Sequence, residues 1–302
     1  MWSVIVLVFI LLLQVGTVFA QNPYIRKDSI GKQEEQADTA SKGDFSFRPI
    51  EKWVGEKFIF LPKPQSLQTY GYQSFEGGGG RHGHPTYEEC VGRIGTIINA
   101  TDREITIKMN ENGQIYKGMA FYMSVDGIAS IADIDNARVK FLGRTLWFIQ
   151  GSILTYDHKT GKYGTVDFKR YSPVKVVDIV VGWDTLIPVR FILKTPSGEE
   201  GFIDVNLSGT NVPSRLRDRE RFDDWFLVED PRKTHRWPEK VWVAIEEGKV
   251  FIGMTAEQAR MSWGKPKEIN KTITGNVKHE QWVYGSRSYL YFDNGILRSI
   301  QN

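Results

Sequence analysis

Gly253-Met254-Thr255-Ala256-Glu257-Gln258-Ala259-Arg260-Met261-Ser262-Trp263-Gly264-Lys265-Pro266 is the most specific stretch of this 302-residue chain, and the fold of its C-terminal part is read outward from it. Thr255 is placed to cap a helix, because its hydroxyl can accept the free amide of Gln258 while the Gln258 side chain reaches back. Ala256, Ala259 and Trp263 then fall on one stripe at helical spacing, with Glu257 and Arg260 on the wet side. Gly264 supplies a left-handed end and Pro266 forbids continuation, so this short helix needs partners to be stable. Upstream, Pro238 opens a second helix that runs through Val241, Trp242, Ala244 and Ile245 to Gly248. Downstream, 268–274 reads as a strand, and 279–284 and 288–292 alternate aromatic and polar residues. Asp293-Asn294-Gly295 is a hairpin turn before a last strand at 296–301.

The Gly-Met-Thr-x-x-Gln opening, the Gly-x-Pro stop, Gln281-Trp282-Val283-Tyr284 and Tyr289-Leu290-Tyr291-Phe292-Asp293-Asn294-Gly295 occur in that order. Over residues 238–302 they resemble the BamE-like (SmpA/OmlA) family of small bacterial envelope domains. The resemblance implies a binding role, not a catalytic one, in outer-membrane protein assembly or envelope integrity, with an envelope protein as partner. Typical members are lipoproteins held by a cysteine at the mature N-terminus, whereas the one cysteine here is Cys90, so anchoring by that route is not expected. Trp282, Tyr284, Tyr289 and Tyr291, alternating with Gln281, Val283, Leu290 and Phe292, make the hairpin apolar on both faces. Those four aromatics are the expected partner-binding residues.

Residues 1–20 are apolar and uncharged and end Val18-Phe19-Ala20, the pattern of a cleaved signal peptide. An uncleaved anchor is the alternative, since about 20 apolar residues span a bilayer. Either directs the chain to the periplasm or beyond. Residues 21–44 are rich in Lys, Glu, Gln and Ser and poor in large apolar side chains, the composition of a disordered linker. A formal net charge of +3 is too small to argue for nucleic acid. It suits anionic glycans or lipid head groups equally, so a cell-wall polymer and peripheral membrane association both stay open. A single cysteine forms no intrachain disulfide.

Between the linker and the tail the text is β-rich and duplicated. Trp53-Val54-Gly55-Glu56-Lys57-Phe58-Ile59-Phe60 matches Phe141-Leu142-Gly143-Arg144-Thr145-Leu146-Trp147-Phe148. Tyr87 and the run 91–98 match Tyr171 and 174–181, and 105–108 with Gly113 matches 190–193 with Gly198. The expected fold class is therefore mainly β plus α+β. It has two tandem small β-barrel modules, 45–128 and 136–209, then a charged linker, 210–237, and a helix-helix-β-hairpin sheet domain, 238–302. The modules look like Src-homology-3-like barrels. That resemblance implies peptide or glycan binding through loops and exposed aromatics. Tyr70, Tyr72, Trp147 and Trp183 are the expected ligand-binding residues, with Tyr156 and Tyr163 as further candidates; core packing is the plainer role for most of them. Between the modules, 130–138 reads as a short helix or a connector.

Chemistry is sparsely signalled. Gly77-Gly78-Gly79-Gly80-Arg81-His82-Gly83-His84 reads as a flexible loop. With Glu88, Glu89 and Cys90 it holds atoms of the right type for a transition metal, but the spacing fits no established metal motif. Cys90 leads into an apolar strand and reads as core. Adjacent carboxylate pairs such as Glu88/Glu89 and Asp223/Asp224 suit solvated loops better than paired acid-base work. No catalytic residue, metal or cofactor is therefore expected. The reading is an exported bacterial envelope binding or scaffold protein. The alternatives are a peptidoglycan- or carbohydrate-binding module and a metal-dependent cell-wall hydrolase using the His82/His84 loop.

Overall fold

The computed structural model describes residues 45–157, 162–285 and 287–302; the expected signal peptide and linker at 1–44 lie outside the described residues. Strand outweighs helix, 38% to 21%, which puts the chain in the mainly β class, and one of its sheets curls into a half-barrel. The first sheet holds β1 (Lys57–Phe60), β2 (Phe75–Glu76), β3 (Ile94–Ala100), β4 (Glu104–Met109), β5 (Ile115–Met119) and β6 (Ile128–Ser130). The second holds β7 (Thr145–Phe148), β8 (Ser152–Asp157), β9 (Lys162–Asp167), β10 (Ser172–Val181), β11 (Val189–Lys194), β12 (Glu200–Val205) and β13 (Phe226–Leu227).

The two sheets have one topology. The first runs β2-β5-β4-β3-β1-β6; the second, read from its far end, runs β9-β8-β12-β11-β10-β7-β13. Each strand of the first has its counterpart, and β9 is an added edge. The likeness extends to local backbone. Gly55 and Gly143 both adopt positive φ, at 88° and 74°. Their amides donate to Ile97 and Val176 at 2.8 and 2.9 Å, and the carbonyls of Glu56 and Arg144 accept from the same two residues. A β-bulge follows each acceptor, between Ile97 and Asn99 and between Val176 and Asp178. The ladder therefore aligns Ile97 with Val176, whereas the sequence match of 91–98 to 174–181 set it against Val180. A run of β-branched residues offers no local mark by which to detect that slip.

The chain divides into two compact units: the second comprises Trp147–Ser152, Asp167–Ser172 and Leu227–Asn302, and the first comprises the rest. Within the first unit, the segment between the sheets is a full helix, α1 (Ile131–Phe141), longer than the short helix or connector expected there. Phe141 packs against Phe191 of β11 and Phe222, with ring centroids at 5.7 and 4.3 Å.

A polar seam ties the end of the second sheet to the end of the first. Asn211, fully buried and left-handed at φ 63°, accepts the Val125 amide at 2.6 Å and donates to the carbonyls of Val125 and Ile128 at 2.8 Å each. Its own carbonyl accepts from Ser124 Oγ at 2.8 Å. Ser208 Oγ donates to Asp133 at 2.6 Å, and Arg48 donates to Ser130 Oγ at 2.9 Å. Burial pushes the Asp133 carboxyl above its ordinary range, against the opposing pull of Ser208 and Arg48. The stretch expected as a charged, solvated linker thus begins with buried residues, Thr210, Asn211 and Val212, and carries the core residue Phe226. The sequence conceals this because the seam is made of long-range hydrogen bonds.

In the second unit, α2 (Glu239–Glu246) and α3 (Ala256–Trp263) precede β14 (Glu268–Thr274), β15 (Val277–Val283), β16 (Tyr289–Asp293) and β17 (Ile296–Gln301), which form a sheet in sequence order. The reciprocal cap is present: Thr255 Oγ1 accepts the Gln258 amide at 3.2 Å, and Gln258 Oε1 accepts the Thr255 amide at 3.0 Å. Gly264 ends α3 at φ 81°, and Asn294 and Gly295 make the final turn at φ 48° and 77°. Trp242, Ile245, Ala259, Trp282, Leu290, Phe292 and Leu297 form the core.

Candidate functional site

Trp282 and Tyr72, expected as binding residues, are core. Trp282 is 2% exposed, packs against Phe292 at 4.5 Å with the rings tilted by 42°, and donates its indole N–H to Glu280. Tyr72 is 1% exposed and donates its hydroxyl to the Leu61 carbonyl at 2.7 Å. Both follow from the alternation of a strand or turn against a filled core, where the larger ring buries more area. Tyr284 is half-buried, edge-on to Trp263 and bonded to the Gly264 carbonyl at 3.0 Å. The hairpin is therefore not apolar on both faces. One face carries Trp282, Leu290 and Phe292 into the core. The other presents half-buried Val283, Tyr289 and Tyr291 among amides: Asn270 donates to Gln281, Gln281 to the Tyr291 hydroxyl and Tyr291 to Gln301, at 3.2, 3.1 and 2.8 Å.

The glycine loop is packed. The amides of Gly77 and Gly78 donate to the Gly83 carbonyl, that of Gly80 to His84, and that of Gly79 to the Glu89 carboxylate. A Cβ on Gly78 would lie 2.2 Å from Pro85 Cα, and one on Gly71 2.1 Å from the Pro85 carbonyl, so glycine here answers a close approach of two chain segments rather than a need for freedom. Glu89 is also committed to the Thr86 capping box, and His84 Nδ1 lies 2.7 Å from the Phe75 carbonyl. Burial pushes the Cys90 thiol up to about 12, which suits an inert core group. Among the described residues no group of three His, Cys, Asp or Glu side chains stands close enough to hold a metal. Tyr70, 58% exposed, borders an open cleft of about 300 Å³ with Gln65, Gln68, Arg81, His84 and Glu88.

Three of the aromatics picked from sequence converge on the second sheet. Along β11, Phe191 faces α1, so its neighbours Arg190 and Ile192 face the other way. Arg190 is fully buried and grips Asp204, its cross-strand partner, with two bonds of 2.6 Å. Its guanidinium lies between the rings of Trp183 and Phe202, 3.9 and 4.0 Å from their centres. Tyr163 of β9 stands edge-on to Trp183 at 5.6 Å, and Tyr156 of β8 lies 5.1 Å beyond it. Tyr156, Tyr163 and Trp183 are half-buried and form a continuous aromatic shelf over a charged but fully paired base. Burial raises the hydroxyl pKa of Tyr163 and, together with Asp157, that of Tyr156, so both stay neutral donors. Burial also raises the Asp184 carboxyl, which accepts the Leu186 amide at 2.8 Å.

Such a shelf offers flat π-faces and two tyrosine hydroxyls. It can stack on a sugar ring or an extended peptide. Arg190, Asp204 and Phe202 were missed in the sequence. The signal for the first was a lone charge inside the apolar run Val189-Arg190-Phe191-Ile192-Leu193, which demands a buried counter-ion. Trp147 is half-buried and belongs to the second compact unit. Comparison of the chain with protein-family models, with curated proteins and with solved structures gives no match. Among the described residues no helix is long and apolar enough to cross a membrane.

Proposed function

We propose that this chain is an exported, non-catalytic binding protein of the bacterial envelope whose ligand surface is the Tyr156–Tyr163–Trp183 shelf. The observation that carries it is the convergence of these half-buried rings on the paired Arg190–Asp204 base, a rigid platform built from three separate chain segments. Rigid aromatics bind at low entropic cost, and rings left half-wet above an ion pair expose area that a filled core would hide. The ligand class that fits is a cell-wall glycan or its peptide stem. The shared strand order of the two sheets supports reading them as tandem Src-homology-3-like modules, and the capped helix and four-stranded sheet support reading 238–302 as a BamE-like domain. Periplasmic or external location is part of the same proposal and rests on the uncharged apolar run 1–20.

Co-sedimentation with purified peptidoglycan tests it. Wild-type protein is expected to pellet, Tyr156→Ala to stay largely in solution, and Tyr70→Ala, an exposed tyrosine away from the shelf, to pellet like wild type. Equal pelleting of all three sinks the shelf as the binding surface. A protein partner is a second reading, favoured by the polar outer face of the tail sheet. A photo-cross-linker at Tyr291 that captures only solvent in intact cells removes that one.

A further inference from the structure

The connection between β5 and β6 has an unusual tip. Phe121 and Ser124 pair across a two-residue turn, each amide bonding the other's carbonyl, and the residues between them, Tyr122 and Met123, are both left-handed at φ 51° and 62°. A turn of this hand normally takes Asn-Gly, because a side chain at positive φ crowds its own backbone by about 1–2 kcal/mol per residue. Here the positions carry a tyrosine and a methionine. All the large apolar groups at the tip are out: Phe121 is 74% exposed, Met119 67%, Tyr122 60% and Met123 41%. Strained backbone persists only where neighbours over-determine it, and here Asn211 does so by holding Ser124 and Val125 from below.

The backbone cost falls on Tyr122 and Met123, two of the four residues that carry the exposed apolar area. At the tip Phe121 is edge-on to Tyr122 at 4.3 Å, and the Arg215 guanidinium sits 5.0 Å over the Tyr122 ring. Arg103 and Lys117 are exposed at neighbouring positions, as are the acids Asp102, which lies within 4.0 Å of Arg103, Glu104, opposite Met119, and Asp126, which is held by Thr185. Apolar and aromatic side chains at an exposed turn, with two arginines and a lysine among its neighbours, suit a bilayer surface, where an acyl boundary meets anionic head groups. The same sequence carries an uncharged apolar run at 1–20, which brings the chain to a membrane in either of its readings.

We infer that the 119–123 tip is a preorganised membrane-contact element that seats Phe121, Tyr122 and Met123 in the interface of an anionic bilayer. The inference is independent of the glycan shelf. Its test uses the full chain with Met123→Cys carrying an environment-sensitive fluorophore; Cys90 is fully buried and does not compete for the label. The control is the same label at Val139→Cys, an exposed site on α1. With vesicles of phosphatidylcholine and phosphatidylglycerol in equal parts, the probe at 123 is expected to shift to the blue and to be quenched by nitroxide lipids, while the probe at 139 does neither. The replacement Tyr122→Asn with Met123→Gly relaxes the turn, so it is expected to raise the melting temperature while weakening vesicle affinity at least tenfold relative to the unlabelled parent. Identical behaviour of the two probes, vesicle affinity unchanged in the relaxed variant, or a shift at 123 that needs only more protein and no lipid overturns the inference; the last outcome would indicate a second copy as the partner.

Discussion

The two sheets follow one strand order and part company at one place. With Ile97 set against Val176, core residue Ile105 of the first sheet corresponds to core residue Phe191 of the second, and exposed Glu104 corresponds to buried Arg190. Glu104 pairs across the ladder with Met119, which is 67% exposed, so that face of the first sheet is open to water. In the second sheet the pair is Arg190 with Asp204, and the rings above it are half-wet. The interval before the third strand differs in the same sense: one copy folds a tight glycine loop there, the other an aromatic hairpin. The two sheets keep one ladder, while the face that lies open in the first is covered by aromatic rings in the second.

That contrast is most directly broken at the ion pair. Arg190→Ala leaves Asp204 buried and unpaired and is expected to cost about 3–5 kcal/mol in urea unfolding, whereas the apolar double Arg190→Leu with Asp204→Leu should lose far less. A double variant as unstable as the single shows that the platform needs its charges. Next in size is Asn211→Ala, which strands the Val125 amide and two carbonyls in the interior at about 1–3 kcal/mol for each unsatisfied group that water fails to reach, read by the same unfolding curves. Gly78→Ala should follow at about 1–3 kcal/mol, because the loop must move off Pro85 to admit the methyl. The equivalent change at Gly143, where no atom lies within 4 Å, costs only the left-handed backbone.

The smallest effect is a pH effect. Burial raises the Cys90 thiol from 9.0 to about 12 in the folded chain. The unfolded chain therefore loses this proton first, so the stability tied to it is complete below the ordinary thiol range and drains away as pH climbs from 9.0 toward 12. Cys90→Ala should flatten that part of the alkaline decline in melting temperature. An unchanged slope assigns the decline to other groups, such as Tyr116, whose hydroxyl burial also raises.

How much of this was legible in the sequence depended on whether the signal was local. The cap at Thr255, the stop at Gly264 and the Asn294-Gly295 turn are each written within a few residues, and the elements of the tail were found where those marks put them. The duplication was visible because Gly55/Gly143 and Gly113/Gly198 are fixed by positive φ. The shelf was half legible: Tyr156, Tyr163 and Trp183 could be picked as aromatics, but not told from Tyr72, since exposure depends on what covers a strand from elsewhere. Neither the tip at Tyr122-Met123 nor the Asn211 brace carried any pattern, because one violates the turn preference and the other acts across 86 positions of chain.

That last separation bears on how the protein is made. The end of the first sheet is pinned by an asparagine that leaves the ribosome only after β7 to β12 of the second sheet have been synthesised. The N-terminal copy must therefore wait, incomplete, for its later twin before the β5–β6 arm can lock, so the pair assembles as one cooperative event and not as two beads in succession. A chain cut after the first copy should show that arm unprotected in hydrogen exchange, however well its remaining strands form.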